Sequence, residues 1–208
     1  MLTPAYSVAQ APYWFEKNKG IQSGQHPLSP GDQVADFVVP ASHGLWSEEA
    51  AVLAASGRVT LDGLLASRPV VVSFYSPHTN AYGHGQLEAL VRLYPKIRAL
   101  GGELVVFTPE PPHQLPCIAS YYQVPFNLVH DAGHRLASAF GLYSPAKPVW
   151  QRVSGIGESV ALPGTFVIGP QGQVAYAFTD TDFDKTVPVR SLLTALYAVR
   201  DKRIKKAA

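Results

Sequence analysis

The chain has 208 residues, is 47% hydrophobic and 15% charged, and carries a formal charge of +2 with its histidines neutral. That composition belongs to a folded globular chain, long enough for one domain with a full core and an extra arm. So small a charge excludes an electrostatic case for nucleic-acid or membrane binding. No run of 18 apolar residues offers a transmembrane helix, and a single cysteine excludes a disulfide within the chain.

Residues 1–7 lack a basic stretch followed by an apolar one, so no secretory signal is expected and a reducing, cytoplasmic setting is the default. Residues 1–26 show no periodicity but contain the cluster Tyr13-Trp14-Phe15. Three large rings need cover, so this segment is expected as an arm, pinned to its own domain or reaching to a second subunit. Regular patterning begins at Pro27 and continues to about residue 200. Ala35 to Pro40 reads as a short strand. Ser47 is placed as the N-cap of an Ala-rich helix running to about Ala55. Arg58 to Leu61 reads as extended, with a helical turn over Asp62 to Leu65.

The core elements follow. Residues 70–75 are almost all apolar and β-branched, the pattern of a central strand buried on both faces. A loop follows, and then Leu87, Leu90, Val91, Tyr94 and Ile97 recur at helical spacing up to Gly101-Gly102. Residues 103–108 form a second buried strand, a helix is predicted over 116–122, and residues 127–130 form a third strand. Residues 134–142 read as a helix with Leu136, Ala137 and Phe140 facing in. An irregular stretch, 143–162, precedes strands at 165–168 and 174–178, joined by the turn Gly169-Pro170-Gln171-Gly172. A last amphipathic helix covers 192–199. The basic run from Arg200 to Lys206 holds five of the chain's 17 Lys and Arg residues. It is read as the solvated cationic end of that helix, with 201–208 a basic tail. The order β-α-β-α-β-α followed by a hairpin and a helix predicts an α/β fold. Its mixed sheet would combine parallel and antiparallel strands under helices on both faces.

Several segments together carry a family resemblance. They are Pro30-Gly31-Asp32 before Asp36-Phe37, the 70–75 strand, Leu104 to Pro109, His130-Asp131 with Ala137 to Leu142, and Pro163 to Ile168 with Gly172. In this order and spacing the chain resembles the peroxiredoxin-like proteins of the alkyl hydroperoxide reductase/thiol-specific antioxidant family. The resemblance implies a thioredoxin-like fold and, from the family's habits, a homodimer. It also implies a thiolate at the start of the first long helix, where the helix dipole and free N–H groups lower a thiol pKa. In the register set by Phe74-Tyr75, the two cysteine positions of that family fall on Asn80 and Gly83. Neither can be a sulfur nucleophile. The arginine that such proteins place before the Thr-Phe-Val-Ile strand is also missing, since Leu162-Pro163-Gly164 stands there. The thioredoxin-like branch has a cis-proline at that point, so Pro163 is the cis candidate.

What chemistry remains is limited. Cys117, in Leu115-Pro116-Cys117-Ile118-Ala119, has apolar neighbours and is expected to be a small buried hydrophobe, with a displaced reactive thiol as the alternative. The former active-site loop carries His78, Thr79, Asn80, Tyr82, Gly83 and His84. His78 and His84 could hold a metal or act as acid and base, but their spacing matches no standard metal motif. His130 and His134 flank Asp131, and Gly133 argues against their sharing a helix face. All four histidines are expected as surface or hydrogen-bonded groups, with no metal or cofactor. The functional expectation is a family member that has lost its redox cysteines and, without catalysis, binds a protein, a small molecule or its own copy through the former active-site face. The alternatives are an antioxidant oxidoreductase using Cys117 and a His-based activity at the 78–84 loop.

Overall fold

A computed structural model describes residues 26–79, 81–151, 153, 156 and 159–207. The predicted aromatic arm, including Tyr13, Trp14 and Phe15, lies outside the described residues. The described chain runs β1 (Val38–Pro40), β2 (Gly44–Leu45), α1 (Glu48–Ala54), β3 (Arg58–Thr60), α2 (Leu61–Ser67), β4 (Val70–Phe74), α3 (Ala81–Ala99), β5 (Glu103–Thr108) and α4 (Leu115–Tyr122). It continues with β6 (Asn127–His130), α5 (Arg135–Ala139), β7 (Gly164–Ile168), β8 (Val174–Thr179) and α6 (Val189–Ala207).

The fold follows from the apolar runs. Strands β4 and β5 are buried at every residue, which demands cover on both sides of the sheet. The six-stranded sheet has the order β2-β6-β5-β4-β7-β8. Strand β4 pairs parallel with β5, and β5 with β6, while β7 runs antiparallel to both β4 and β8. The predicted mixed sheet is therefore present. Successive side chains point to opposite faces. Val70, Val72 and Phe74 enter one core with Phe107, Phe140 and Phe166. Val71 and Tyr75 enter the other with Leu87, Leu90, Ile97, Leu192 and Leu196. Helices α3, α4 and α6 cover this second face; α1, α2 and α5 cover the first.

Local signals set most boundaries. The Ser47 hydroxyl accepts from the Ala50 N–H and starts α1 as expected. Thr60 does the same for α2 through Gly63. Other features differ from the sequence reading. The strand read at 35–40 is reduced to β1, which pairs antiparallel with β3 in a separate two-stranded ribbon. Strand β2 has only two residues and escaped the pattern altogether. Helix α5 ends at Ala139, because Phe140 leaves the helical path and Gly141 takes φ +70°. A side chain at Gly141 would also overlap the His26 carbonyl oxygen at 1.9 Å. Helix α6 is much longer than the predicted 192–199 and includes positions 201–207.

At the end of the sheet away from the loop that follows β4, buried Glu103 begins β5. It accepts from the Tyr94 hydroxyl at 3.1 Å and from Arg98 at 3.0 Å, with Arg68 at 3.5 Å. Both arginines also reach Glu49. Burial of a carboxylate here is offset by two cations and a hydroxyl.

Candidate functional site

Strand β4 runs out at Phe74, and the Tyr75 N–H still donates to the Phe107 carbonyl. A single 3-10 turn, Pro77–Thr79, then leads into α3. Within the turn the Thr79 hydroxyl donates to the Ser76 carbonyl at 2.7 Å, and the His78 N–H donates to the Ser76 hydroxyl. Ser76 and Thr79 are both buried. Asn80 lies outside the described residues. Helix α3 begins at Ala81, so Tyr82, Gly83 and His84 belong to its first turn and not to the loop in which the sequence placed them.

Gly83 is packed against this turn. A Cβ there would lie 2.3 Å from the Ser76 carbonyl oxygen and 2.6 Å from Thr79 Oγ1. Both obstacles are fixed, one being backbone and the other a hydrogen-bonded hydroxyl. The second sulfur position of the family register therefore has no room for any side chain.

The histidines regroup. His78 Nε2 meets Glu110 Oε1 at 2.9 Å. Glu110 follows β5, is buried, and was missed by the sequence reading, where it stood as one more residue in a Pro-rich turn. His134, from the loop after β6, stacks on Tyr143 with ring centroids 4.2 Å apart. Burial, with His78 and His130 nearby, depresses its pKa. His130 instead faces His43 at 5.5 Å, and burial lowers both of their pKa values. His84 pairs with the Tyr122 hydroxyl on α4. The sequence pairs 78/84 and 130/134 are thus broken, and no histidine belongs to a close group of three potential metal ligands among the described residues. His134 and Gly133 both have left-handed backbone, φ 54° and 63°. That bend keeps His130 and His134 off a common helix face, as Gly133 suggested.

Asp131 sits at the centre of this end of the sheet, fully buried. Its carboxylate oxygens accept from the Leu136 and Ala137 N–H groups at 2.8 and 2.9 Å and so start α5. Burial still pushes its pKa up to about 6. The cavity beneath, lined by Tyr75, Ser76, Thr79, Asp131, His134 and Pro163, holds only about 10 Å³, room for about one water.

Two predictions are corrected here. No peptide bond among the described residues is cis, so the Leu162–Pro163 bond is trans. Backbone hydrogen bonds hold the chain on both sides of it. Leu162 N–H donates to the Leu142 carbonyl, and the Pro163 carbonyl accepts from Asp180 N–H. Cys117 is exposed, not buried. Leu115 is the buried residue of α4, with Ile118 and Tyr122 packed beside it. The i, i+3, i+7 stripe faces the sheet and leaves position 117 outside.

Open space lies on the other side of the α3 N-terminus. A cleft of about 510 Å³ runs between α3, β7, β8 and the 180–187 loop, with Tyr82, Leu90, Phe178 and Phe183 among its lining. The loop is tied by buried Asp180, whose carboxylate accepts from the N–H groups of Asp182, Phe183 and Lys185. Asp180, Asp182 and Asp184 are the one close group of three potential metal ligands among the described residues. The Lys185 ammonium stands 3.6 Å from both Asp182 and Asp184 and supplies the positive charge there.

The AhpC/TSA family model matches residues 30–177. The chain belongs to the AhpC/TSA family. The fold is the peroxiredoxin one. The crystal structure of the peroxidoxin BcpB from Mycobacterium tuberculosis is 21% identical, covering 83% of this chain and 98% of that one with a TM-score of 0.61. A reduced 2-Cys peroxiredoxin from Plasmodium vivax gives 0.62 at 12% identity, over 85% of this chain and 84% of that one. Peroxiredoxin Q from Xanthomonas campestris gives 0.55 at 21% identity, over 69% and 85%. No curated protein matches the chain. Within this AhpC/TSA member the one sulfur nucleophile, Cys117, stands on α4 and not at the start of α3. Among the described residues no helix is long and apolar enough to cross a membrane.

Proposed function

We propose that this AhpC/TSA member binds or assembles without redox catalysis. Asn80 and Gly83 stand where the family register puts sulfur. The observation that carries the reading is the space at Gly83, where even a methyl group collides with the Ser76 carbonyl. A site that had lost its cysteines by substitution alone would keep their room; here the turn has closed over one of them. The cavity behind the turn admits about one water, which leaves little space for a peroxide and its approach. An altered site on an intact scaffold is a common route to a new role.

The same reading carries a homodimer in a reducing cytoplasm, with residues 1–26 as an arm, 27–200 as the domain and 201–208 as a basic end. Light scattering on the full chain and on a chain lacking residues 1–24 tests the arm's part in assembly.

The catalytic test uses hydrogen peroxide consumption and insulin reduction with dithiothreitol as reductant. No turnover above the buffer rate is expected, with Cys117→Ser indistinguishable from the natural chain. Because Cys117 is exposed, it should still react stoichiometrically with Ellman's reagent without denaturant. Peroxide turnover that disappears in Cys117→Ser would overturn the proposal.

A further inference from the structure

We infer that the cleft between α3, β7, β8 and the 180–187 loop is a binding site for a small, uncharged aromatic molecule. This deepens the binding role proposed above by naming its site and ligand chemistry.

Three features point to that ligand. The first is size. About 510 Å³ lies in the range of small-molecule sites and far exceeds the two small cavities beside Asp131. The second is the surface on offer. Tyr82, Phe178 and Phe183 are each only partly covered, and Leu90, Pro163 and Val187 complete an apolar lining. Aromatic rings gain most from another ring set against them edge-to-face or offset. Tyr82 and Phe183 already meet edge-to-face at 5.3 Å, which leaves ring faces turned elsewhere.

The third is charge. Five charged groups stand near the mouth, and each has an opposite partner, Lys185 being shared by two carboxylates. Arg92 lies 3.4 Å from Glu88, and Lys185 lies 3.6 Å from both Asp182 and Asp184. An anionic ligand would have to draw Arg92 or Lys185 from its carboxylate, and a cationic one would compete with Lys185 for Asp182 and Asp184. Two polar side chains of the lining are engaged as well. Gln86 donates to the Phe74 carbonyl, and the Thr165 hydroxyl bonds Ser73. A ligand rich in hydrogen-bonding groups would find those two donors already taken.

The wall is also preformed. Asp180 fixes the loop through three backbone N–H groups, and the Tyr82 hydroxyl donates to the Lys185 carbonyl at 3.1 Å, which fastens the loop to α3. Phe183 is held at φ 59°, a left-handed conformation that a bulky residue keeps only when its surroundings impose it. A rigid wall lowers the ordering cost of binding.

The test is titration of the full chain with N-phenyl-1-naphthylamine, a neutral aromatic fluorophore, read by its emission. Saturation at one probe per chain is expected. Gly85 lines the cleft, and a Cβ there meets no heavy atom within 4 Å. Gly85→Trp therefore sets an indole at the cleft wall without crowding the helix, and should weaken probe binding by about tenfold or more. Phe183→Ala should weaken it by a similar factor, while Tyr121→Ala, which removes an exposed ring on α4, should leave it unchanged. Circular dichroism and thermal midpoints confirm that each variant is folded. Non-saturating emission, or equal binding by Gly85→Trp and the natural chain, would overturn the inference. Loss of binding in Tyr121→Ala would do the same, because the probe would then sit on α4. Peroxidase activity would sink the non-redox reading without touching this one, since the two assays report different groups.

Discussion

The closed turn at Gly83 can be tested directly by adding one carbon. In Gly83→Ala, the new methyl would begin 2.3 Å from the Ser76 carbonyl oxygen and 2.6 Å from Thr79 Oγ1, distances that real Cβ atoms do not show. The Ser76–Thr79 turn or the first turn of α3 must move. Overpacking of this kind costs about 1–3 kcal/mol. Replacing glycine by alanine within a helix returns about 1 kcal/mol. The net expectation is a loss of up to about 2 kcal/mol, or as much as several degrees in Tm for a domain of this size. Gly85 is the internal control, two residues further along the same helix and with nothing near its Cβ position. Gly85→Ala should gain about 0.5–1 kcal/mol. Urea unfolding followed by circular dichroism, with both variants at one pH and protein concentration, measures the gap. Equal stability of the two variants would refute the reasoning. The turn would then yield to a side chain, and Gly83 could have seated a sulfur.

Two other perturbations read the polar interior. Asp131 has its folded pKa raised to about 6 by burial, against about 3.9 for an unfolded aspartate. The folded state then holds the proton more tightly. This group's contribution is fully present below the unfolded value and is lost as pH rises through about 6, a change of roughly 2–3 kcal/mol. His43, His130 and His134 have lowered values and act in the opposite sense, losing stability as pH falls below 6.5. Those histidines are common to the natural chain and to Asp131→Asn, so the stability difference between the two isolates Asp131. That difference should move in favour of the natural chain between pH 7 and pH 4 in urea melts; a flat difference would contradict the assignment. At the far end of the sheet, Arg98→Met leaves buried Glu103 with the Tyr94 hydroxyl, the Leu104 N–H and the more distant Arg68. A loss of about 1–3 kcal/mol in the same assay is expected, recovered in part when Glu103→Leu is added. Full additivity of the two substitutions would show that the pair does not interact.

Much of the framework is written locally. The apolar runs at 70–75 and 103–108, the helical spacing from Leu87 to Ile97 and the turn at 169–172 each report the backbone of their own residues. From them the mixed sheet, its parallel centre and its hairpin could be read, along with the absence of sulfur at positions 80 and 83. The elements that escaped carry weak local signals. Strand β2 is two residues long, and β1 gains its identity from β3, twenty residues away.

The site was legible only in its membership. The sequence named His78, His130, Asp131 and His134, yet not that His78 meets Glu110, or that Asp131 starts α5. Cys117 shows how close the sequence came. Leu115, Ile118 and Tyr122 already mark the inner stripe of α4, but apolar neighbours on both sides suggested burial. Pro163 was judged by analogy; its bond is trans, and its neighbourhood is tied to Leu142 and Asp180, partners that no local pattern reveals. The fold and the missing nucleophile were thus legible before folding, because both are properties of single positions and their periodicity. Only the tertiary structure decided that Gly83 has no room and that the open space lies beside Tyr82, because volume is made by segments that meet only after folding.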